Sequence, residues 1–581
     1  MKKQLIQLQD CLKTYTTDQD KAIRPEETVA RFLDKLAHLD LDILKEVKRI
    51  DNGRLDIPVY FSVCGEDALA MIGTKKQMGK GSSPIQAQAS ACMELAERYS
   101  FFSFTRDSDN FIVGDYQTLR AQGYPVLASS YLLKSVHDEH NDEAFVEELL
   151  AGIPMQWAWA KNLSRDEEVL VPFSWFFAIN EFNGPSAGNT TEEAAMQGIS
   201  EVVERHVCAV VTHQKLATPL INPDSVTDPV ACELLDKFAN NNIELYLNDF
   251  TLDTGIPTVA ALAIDRSTFP ESSEIVYTAG TTPDAEKAII RAITEVAQLA
   301  GDFNSSSNYV ASGLPKPLTM DEVTHITDPG VNISVAEMAD LVDNNIKVEV
   351  ENCIAALAQI GMEVFMLDVT HATLQVPAIY TIIPGAHFRE RSMINDAGLF
   401  AAKLLVDLVT DPDELEQGLA RMEQQLPHAY YLKFYRGRNL FNCGMADAAL
   451  DFFDQALALG PEGEDLPYIY SYKGNCLKDL ARYDDAIEVL NQGLDVDEER
   501  PDIHNLMGVC FFKKDDFVQA IVHFKRAVEL NPVSAMDYAN LGVNYRRLGK
   551  NDEAAHFFTL ALSLDSSIDF AREQLAELIV T

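Results

Sequence analysis

The feature that most constrains the fold is a repeat with a period of 34 residues in the last part of the chain. Small residues recur at fixed offsets in successive units, namely Gly474, Gly508 and Gly542, followed by Ala486, Ala520 and Ala554. A unit of this length holds one pair of helices, and small residues let the two helices approach closely. The sequence therefore predicts a stack of helix pairs.

Other positions of the same repeat hold aromatic residues, further alanines and proline. The recurring residues are Phe524 and Phe558, Ala527 and Ala561, and Pro532 at the end of one unit, with an earlier unit at Gly437, Ala449, Phe453, Ala456 and Pro461. This is the tetratricopeptide (TPR) pattern, and it predicts an all-α solenoid of about four repeats over residues 430–581. Stacked repeats form a concave face. We interpret this face as a binding site for a peptide or protein; a purely structural cap is the alternative.

Two helical segments earlier in the chain carry the pattern Glu-x-x-Glu-Arg. The first copy is Glu94, Glu97 and Arg98, and the second is Glu201, Glu204 and Arg205. Thr190 and Glu193 precede the second copy with the spacing of a capping box, which indicates a helix start. Residues at i, i+3 and i+4 share one helix face. That face can be an exposed salt-bridge ladder, or it can hold a metal ion and a phosphate. The alanine-rich surroundings favour the second interpretation, because a polar stripe in an apolar helix needs partners.

A third helical segment also carries a polar stripe. Arg291, Glu295 and Gln298 are spaced i, i+4 and i+7, which places them on one face. Each of the three segments follows predicted strands and a glycine-containing turn. We therefore predict one sheet-based scaffold that gathers the three helices into an α+β or α/β domain. The turn before the first helix, Gly79-Lys80-Gly81, is interpreted as a simple turn, with a cradle for phosphate as the alternative.

Composition excludes several classes of protein. The 581 residues include 89 acidic and 47 basic ones, and the net charge is −42. We therefore expect no nucleic-acid partner, and an acidic protein that binds a nucleotide needs a cation such as Mg²⁺. The nine cysteines form no Cys-x-x-Cys pair, so neither a zinc site nor a disulfide framework is expected. With no signal peptide and no long apolar run, we expect a cytoplasmic protein without a membrane partner.

The chain divides into three predicted regions. Residues 1–410 form the α+β domain, residues 411–429 a linker, and residues 430–581 the repeats. Within the first region, residues 57–74 are predicted to form two paired strands. His206 follows Arg205 directly and points to another side of the helix, so it is interpreted as structural. The sequence shows no Ser-His-Asp or Cys-His pattern, and no catalytic residue is predicted.

These motifs together resemble the YcaO family over about the first 410 residues. The resemblance rests on Lys13, the Pro25 to Thr28 helix start, Gly79-Lys80-Gly81, Ser90 with the first Glu-x-x-Glu-Arg, Gly188-Asn189-Thr190 with the second, the Arg291 helix, and Pro384-Gly385. It implies an α+β YcaO-type domain with mixed sheets, in which three polar helices form an ATP site. In such a site carboxylates bind Mg²⁺, and the metal neutralises the phosphates.

The resemblance also implies roles for individual residues. Metal ligands or their immediate neighbours would be Glu94, Glu97, Glu201 and Glu204. Phosphate contacts would be Arg205 and Arg291. The nucleotide and metal shell would be completed by Ser186, Asn189, Glu193 and Glu295. The remaining residues of the nucleotide site would be Lys13, Thr28, Ser90 and Gln298.

The chemistry implied by the resemblance takes place on peptide bonds. Family members use ATP to phosphorylate an amide oxygen, and a nucleophile then replaces that oxygen. A neighbouring Cys, Ser or Thr gives an azoline ring, whereas sulfide gives a thioamide. Azoline-forming members commonly end in a proline-rich tail, and this chain ends in the repeats. We therefore favour thioamidation with a TfuA-like or sulfur-donor partner, or a role in methylthiolation of a ribosomal protein, over ring formation.

The implied partners are proteins. The family suggests a homodimer, and the TPR repeats are expected to recruit the peptide or protein substrate or a partner. The alternative is an ATP-binding adaptor that brings partners together without peptide chemistry of its own. Loss of ATP turnover in Glu201→Ala would favour the enzyme, whereas tight binding with negligible hydrolysis would favour the adaptor.

Overall fold

The computed structural model describes residues 6–580, apart from 52, 271–272, 300–316, 318, 389–395, 462 and 464. The chain divides into two compact units, residues 1–400 and 401–581. Among the described helices, none combines the length and the apolar character that crossing a membrane requires.

The first unit mixes strands and helices, as predicted. Its strands are β1 Leu44–Arg49, β2 Val59–Cys64, β3 Lys76–Lys80, β4 Ile112–Gly114, β5 Met155–Asn162, β6 Glu167–Pro172, β7 Pro185–Ala187, β8 Leu220–Ile221, β9 Glu244–Asp249, β10 Thr258–Ile264, β11 Val276–Thr281, β12 Asn332–Ile333, β13 Phe365–Asp368 and β14 Ala378–Ile382. Its helices are α1 Pro25–Ala37, α2 Glu66–Ile72, α3 Pro84–Arg106, α4 Tyr116–Ala121, α5 Ser130–Ser135, α6 Glu143–Leu149, α7 Phe173–Asn180, α8 Thr191–Gln214, α9 Pro229–Asn240, α10 Ala285–Leu299, α11 Thr324–Thr327 and α12 Ile346–Gln359.

The strands form three sheets. The first sheet is antiparallel, in the order β1-β2-β3. The second has the order β11-β10-β9-β8-β12, and its β8–β12 pair is parallel. The third has the order β4-β5-β13-β14-β7, with β6 beside β5. The predicted α+β fold with mixed sheets is confirmed, whereas the sequence did not indicate which strands pair.

The helices with polar stripes pack mainly on different strands but share some of them. Helix α3 packs mainly on β2 and β3, α8 on β7 and β14, and α10 on β10 and β11. Helix α3 also contacts β7 and β14, and α8 also contacts β11. Two of these contacts need glycine for the close approach of backbones. A Cβ atom at Gly79 would lie 2.1 Å from the backbone nitrogen of Ala91, and one at Gly280 would lie 2.6 Å from the carbonyl oxygen of Ala288. These distances fix how closely α3 and α10 lie to their sheets.

Only the first half of the segment 57–74 forms a strand. Its first part forms β2 as predicted, but its second part is the helix α2 and not a strand. Glu66 and Asp67 occupy the first turn of α2, where negative charge is favourable. Residues 68–72 are all apolar, and a continuous apolar run of this length does not separate a strand from a helix.

The second unit is helical. Helix α13 Ala397–Leu408 crosses the boundary between the units, and then follow α14 Pro412–Gln425, α15 Tyr430–Asn442, α16 Ala446–Ala458, α17 Leu466–Asp479, α18 Tyr483–Val496, α19 Pro501–Lys513, α20 Phe517–Leu530, α21 Ala535–Arg547, α22 Asn551–Leu564 and α23 Asp569–Val580. From α15 to α22 the helices pack as successive pairs. Repeat positions such as Ala520, Phe524 and Phe558 are buried between them. The predicted stack of helix pairs is confirmed.

The segment predicted as a linker contains helix α14. Arg436 of α15 forms ion pairs with Glu416 and Glu423 of α14, and Lys433 also pairs with Glu423. These side chains are partly buried, so α14 is attached to the first repeat helix. The limits of the three predicted regions stay a prediction.

Candidate functional site

Helix α3 supplies the first wall of a polar cavity of about 470 Å³. The helix begins at Pro84, and the side chain of the preceding residue, Ser83, caps it by accepting a hydrogen bond from the Gln86 amide at 3.4 Å. Alanines on its inner face, such as Ala87 and Ala91, are fully buried against the first sheet. The stripe that includes the first Glu-x-x-Glu-Arg motif lines the cavity.

Helix α8 supplies the second wall. Its first turn is capped by Thr190, whose Oγ1 accepts a hydrogen bond from the Glu193 amide at 3.2 Å. The Glu193 carboxylate accepts from the Asn189 amide at 2.9 Å, and from the Ala22 amide at 2.7 Å. The predicted capping box is thus half formed, because the glutamate reaches one residue beyond the cap. Glu193 instead ties the N-terminal segment to the start of α8.

Helix α10 closes the cavity from a third side. Its Arg291 donates to the side-chain oxygen of Gln197 at 2.7 Å, and its Nε lies 3.4 Å from the Glu204 carboxylate. Glu295 and Gln298 line the same cavity. The three polar stripes, which lie far apart in sequence, therefore meet in one place.

All but two of the predicted site residues line this cavity. The lining residues among them are Thr28, Ser90, Glu94, Glu97, Asn189, Glu193, Glu201, Glu204, Arg205, Arg291, Glu295 and Gln298. Lys13 lies apart from them: its Nζ is 2.6 Å from Asp20 and 2.5 Å from Glu349. Ser186 is buried beneath α8, and its hydroxyl donates to the Ala194 carbonyl at 2.8 Å. The individual roles of all these residues stay predictions.

The carboxylates on α3 and α8 are buried in unequal degree. Glu97 and Glu204 are almost inaccessible, whereas Glu94 is partly exposed. Burial and the charge of Glu94 raise the pKa of Glu97 well above its usual range, and burial raises the pKa of Glu201. Arg98 lies 3.1 Å from Glu94 and 3.5 Å from Glu97. Burial and the neighbouring carboxylates thus outweigh the arginines, whose charges would lower these pKa values.

The structure adds a basic residue that the predicted site did not include. Lys80, the last residue of β3, lines the cavity and forms an ion pair with Glu295 of α10. Burial, and then the positive charge of Arg291, lower the pKa of Lys80 to about 7. The signal was the Gly79-Lys80-Gly81 sequence, which we interpreted as a turn. Gln197, the partner of Arg291, lay one turn before Glu201 on α8 and was also missed.

The donor set fits Mg²⁺ that arrives with a nucleotide. Among the residues with described positions, no three carboxylate, histidine or cysteine side chains already form a metal cage. Mg²⁺ commonly binds one or two carboxylates and completes its octahedron with phosphate oxygens and water, so it needs no such cage. Incompletely neutralised glutamates on two facing helices match that mode of binding.

The fold and cavity define a class of protein: an α+β domain with a site for a metal-bound nucleotide, followed by helical repeats. The family model described as YcaO cyclodehydratase, binding ATP and Mg²⁺, matches residues 78–387, more than half of the chain. The chain belongs to the YcaO family, and its cofactors are ATP and Mg²⁺. Models of the tetratricopeptide repeat match residues 443–510, 501–532 and 538–568. The predicted family, fold class and cofactors are confirmed.

Three relatives of known sequence each match a little under two thirds of the chain. An uncharacterized protein of Methanothermobacter thermautotrophicus is 29% identical over 396 residues, which is 63% of this chain and 94% of that protein. The Escherichia coli ribosomal protein S12 methylthiotransferase accessory factor YcaO is 25% identical, over 64% of this chain and 66% of that protein. An uncharacterized protein in the tfuA 3′ region of Rhizobium leguminosarum is 23% identical, over 63% of this chain and 88% of that protein.

One solved structure supports the fold of this part. It is a heterocyclase in complex with substrate and cofactor, with a TM-score of 0.53 and 21% identity. The match covers 66% of this chain and 55% of the heterocyclase. A likeness at this level of identity concerns the fold.

Proposed function

We propose that this chain uses Mg²⁺ and ATP to phosphorylate the oxygen of a peptide-bond amide in a protein or peptide substrate. The observation that carries the proposal is the meeting of α3, α8 and α10 around one polar cavity of about 470 Å³. Glu94, Glu97, Glu201 and Glu204 would hold the metal. Arg205 and Arg291 would contact the phosphates, in the planar geometry that guanidinium groups offer to phosphate oxygens.

The reaction has two balanced steps. The amide oxygen attacks the γ-phosphorus, the bond to ADP breaks, and the amide nitrogen loses its proton. Sulfide then adds to the activated carbon, and phosphate leaves with the original oxygen, which gives a thioamide. Arg205 and Arg291 would stabilise the charge that develops on the transferred phosphoryl group. Glu193 and Asn189 would hold the start of α8 in place, through their hydrogen bonds at 2.9 Å.

We favour sulfur chemistry over azoline formation. The similarity to the protein in the tfuA 3′ region supports thioamidation with a TfuA-like or sulfur-donor partner. The similarity to the S12 methylthiotransferase accessory factor supports the second candidate, a role in methylthiolation of a ribosomal protein. The TPR repeats would recruit the substrate or the sulfur-delivering partner, and a homodimer is the expected assembly.

Calorimetric titration with Mg²⁺ and ATP tests the site. Wild type should bind, and Glu201→Ala/Glu204→Ala should not. The matched control is Glu148→Ala/Glu351→Ala, which removes two exposed helical glutamates outside the cavity and should bind like wild type. Equal binding by the site variant and wild type would place the nucleotide elsewhere.

Mass spectrometry of proteins from host cells tests the chemistry. Cells with wild type, but not with Glu201→Ala/Glu204→Ala, should contain a peptide with the mass change of one oxygen replaced by one sulfur. Methylthiolation would add the mass of a methylthio group instead, and azoline formation would remove a water. ATP binding without any of these products or ATP turnover would support the adaptor and contradict the enzyme.

A further inference from the structure

The further inference concerns Lys80, which bridges two parts of the first unit. It ends β3 of the first sheet, and its ammonium group pairs with Glu295 on α10, which packs on the second sheet. The Lys80 and Glu295 side chains are only 18% and 20% exposed. The pair is thus largely shielded from water, where removing one partner leaves an uncompensated charge on the other.

Lys80 differs from the other cations of the cavity. Arg98, Arg205 and Arg291 each lie within 4 Å of a carboxylate of the two Glu-x-x-Glu-Arg motifs. Lys80 lies beside Glu295, the glutamate of the third stripe, and is also influenced by the charges of Glu204 and Glu94. A lysine carries a compact charge on a flexible stem, so it can move between acceptors more easily than a planar guanidinium group.

We propose that Lys80 is a displaceable counter-ion: it competes with the metal for Glu295 and contacts the phosphates when Mg·ATP binds. The inference rests on the proposed function, because it assumes that phosphates and metal enter this cavity. The Lys80 ammonium group and a divalent cation cannot occupy the same position beside the Glu295 carboxylate. A phosphate that arrives with the metal gives the displaced ammonium group a new acceptor.

The proposal predicts effects of opposite sign for two ligands. Lys80→Met should weaken Mg·ATP binding by about 10-fold to 100-fold, because a charged contact to phosphate is lost. The same variant should bind a divalent metal alone about 10-fold more tightly, because the competing ammonium group has gone. If Lys80 only held β3 and α10 together, Lys80→Met would weaken the binding of both ligands, because α10 would lose its correct position.

The experiment measures the binding of Mg·ATP and of Mn²⁺ to the full-length chain. Mg·ATP binding is followed by calorimetry, and Mn²⁺, which carboxylates bind much as they bind Mg²⁺, is counted by the EPR signal of the free ion. Lys48→Met, which removes an exposed lysine from β1 of the same sheet, is the matched control and should behave like wild type. Lys80→Arg keeps the charge and should retain more Mg·ATP affinity than Lys80→Met, without tighter Mn²⁺ binding.

Each result decides the role of Lys80. Weaker Mg·ATP together with tighter Mn²⁺ binding in Lys80→Met supports the proposal. Unchanged binding of both ligands, or weaker binding of both, overturns it. If the wild type bound no Mg·ATP, the nucleotide site as a whole would be overturned. If the wild type and Lys80→Met bound Mg·ATP equally, only the role of Lys80 would be overturned.

Discussion

Acid should destabilise the first unit through a buried histidine. His206 on α8 is 7% exposed, and its Nδ1 accepts a hydrogen bond from the backbone amide of His387 at 3.1 Å. The His387 ring stacks on both His137 and His206, with ring centroids 3.6 Å and 5.4 Å away. Burial is the main reason that the pKa of His206 is lowered from 6.5 to about 4. The neutral ring is therefore the form that the fold accepts.

The sign and size of the effect follow from linkage. Below pH 6.5 the unfolded chain takes up a proton on His206, whereas the folded chain does so only near pH 4. The unfolded state binds more protons in this window, so the free energy of unfolding falls as the pH falls. The full difference between the pKa values of the unfolded and folded states corresponds to about 3 kcal/mol of unfolding free energy. About 2 kcal/mol of this stability should be lost by pH 5.

The test compares urea unfolding of wild type and His206→Asn at pH 7.5 and pH 5. Asparagine can still accept the His387 amide hydrogen bond, but it cannot be protonated. The three tryptophans all lie in the first unit, so their fluorescence reports that unit alone. The loss of stability between the two pH values should be smaller in His206→Asn by about 2 kcal/mol. Exposed His38→Asn is the control, and an equal pH dependence in wild type and His206→Asn would refute the reasoning.

Three further predictions test the fold and the site. Gly280→Val should press on the backbone of α10, destabilise the first unit by about 1–3 kcal/mol in tryptophan-monitored unfolding, and weaken ATP binding. Arg291→Met should lower Mg·ATP affinity about 10-fold or more in calorimetry, whereas Arg165→Met, outside the cavity, should not. Phe558→Ala removes a fully buried ring and should cost the second unit about 3–5 kcal/mol, seen as earlier melting by circular dichroism without a change in tryptophan fluorescence.

The repeats could be predicted because their signal is local and recurs. Each helix pair carries its own small and aromatic positions, and contacts form mainly between neighbouring repeats. The polar stripes of α3, α8 and α10 could be predicted for a similar reason, since helical spacing alone places their residues on one face. That the three helices meet was predicted from the strands and glycine-containing turns that precede each of them, whereas the nucleotide site that they form was implied by the family resemblance.

Long-range partners are what the sequence could not supply. Lys80 and Glu295 are far apart along the chain, and neither of their sequence motifs indicates that the two side chains meet. The pairing of the strands within the mixed sheets could not be predicted, because it depends on packing between distant segments. Lys13 was assigned to the nucleotide site by resemblance, and this role stays a prediction. The sequence did not indicate that its ammonium group pairs with Asp20 and Glu349.

The charge of the cavity explains how so acidic a chain can bind an anion. Its ionisable lining is balanced, with six glutamates and six basic residues: Glu94, Glu97, Glu193, Glu201, Glu204 and Glu295 against Lys21, Lys76, Lys80, Arg98, Arg205 and Arg291. A formally neutral cavity in a chain of net charge −42 should reject ATP alone and accept ATP neutralised by metal.

This balance gives a last prediction. ATP in EDTA should show little or no calorimetric binding, and affinity should rise steeply as Mg²⁺ is added. Glu204→Gln removes one negative charge from the lining, so it should relax the exclusion of metal-free ATP while it weakens Mg·ATP. Raising the salt concentration should have little effect on Mg·ATP binding, because buried charges are poorly screened. Binding of ATP that is as tight in EDTA as in Mg²⁺ would mean that the arginines alone hold the phosphates, and that the buried glutamates serve another purpose.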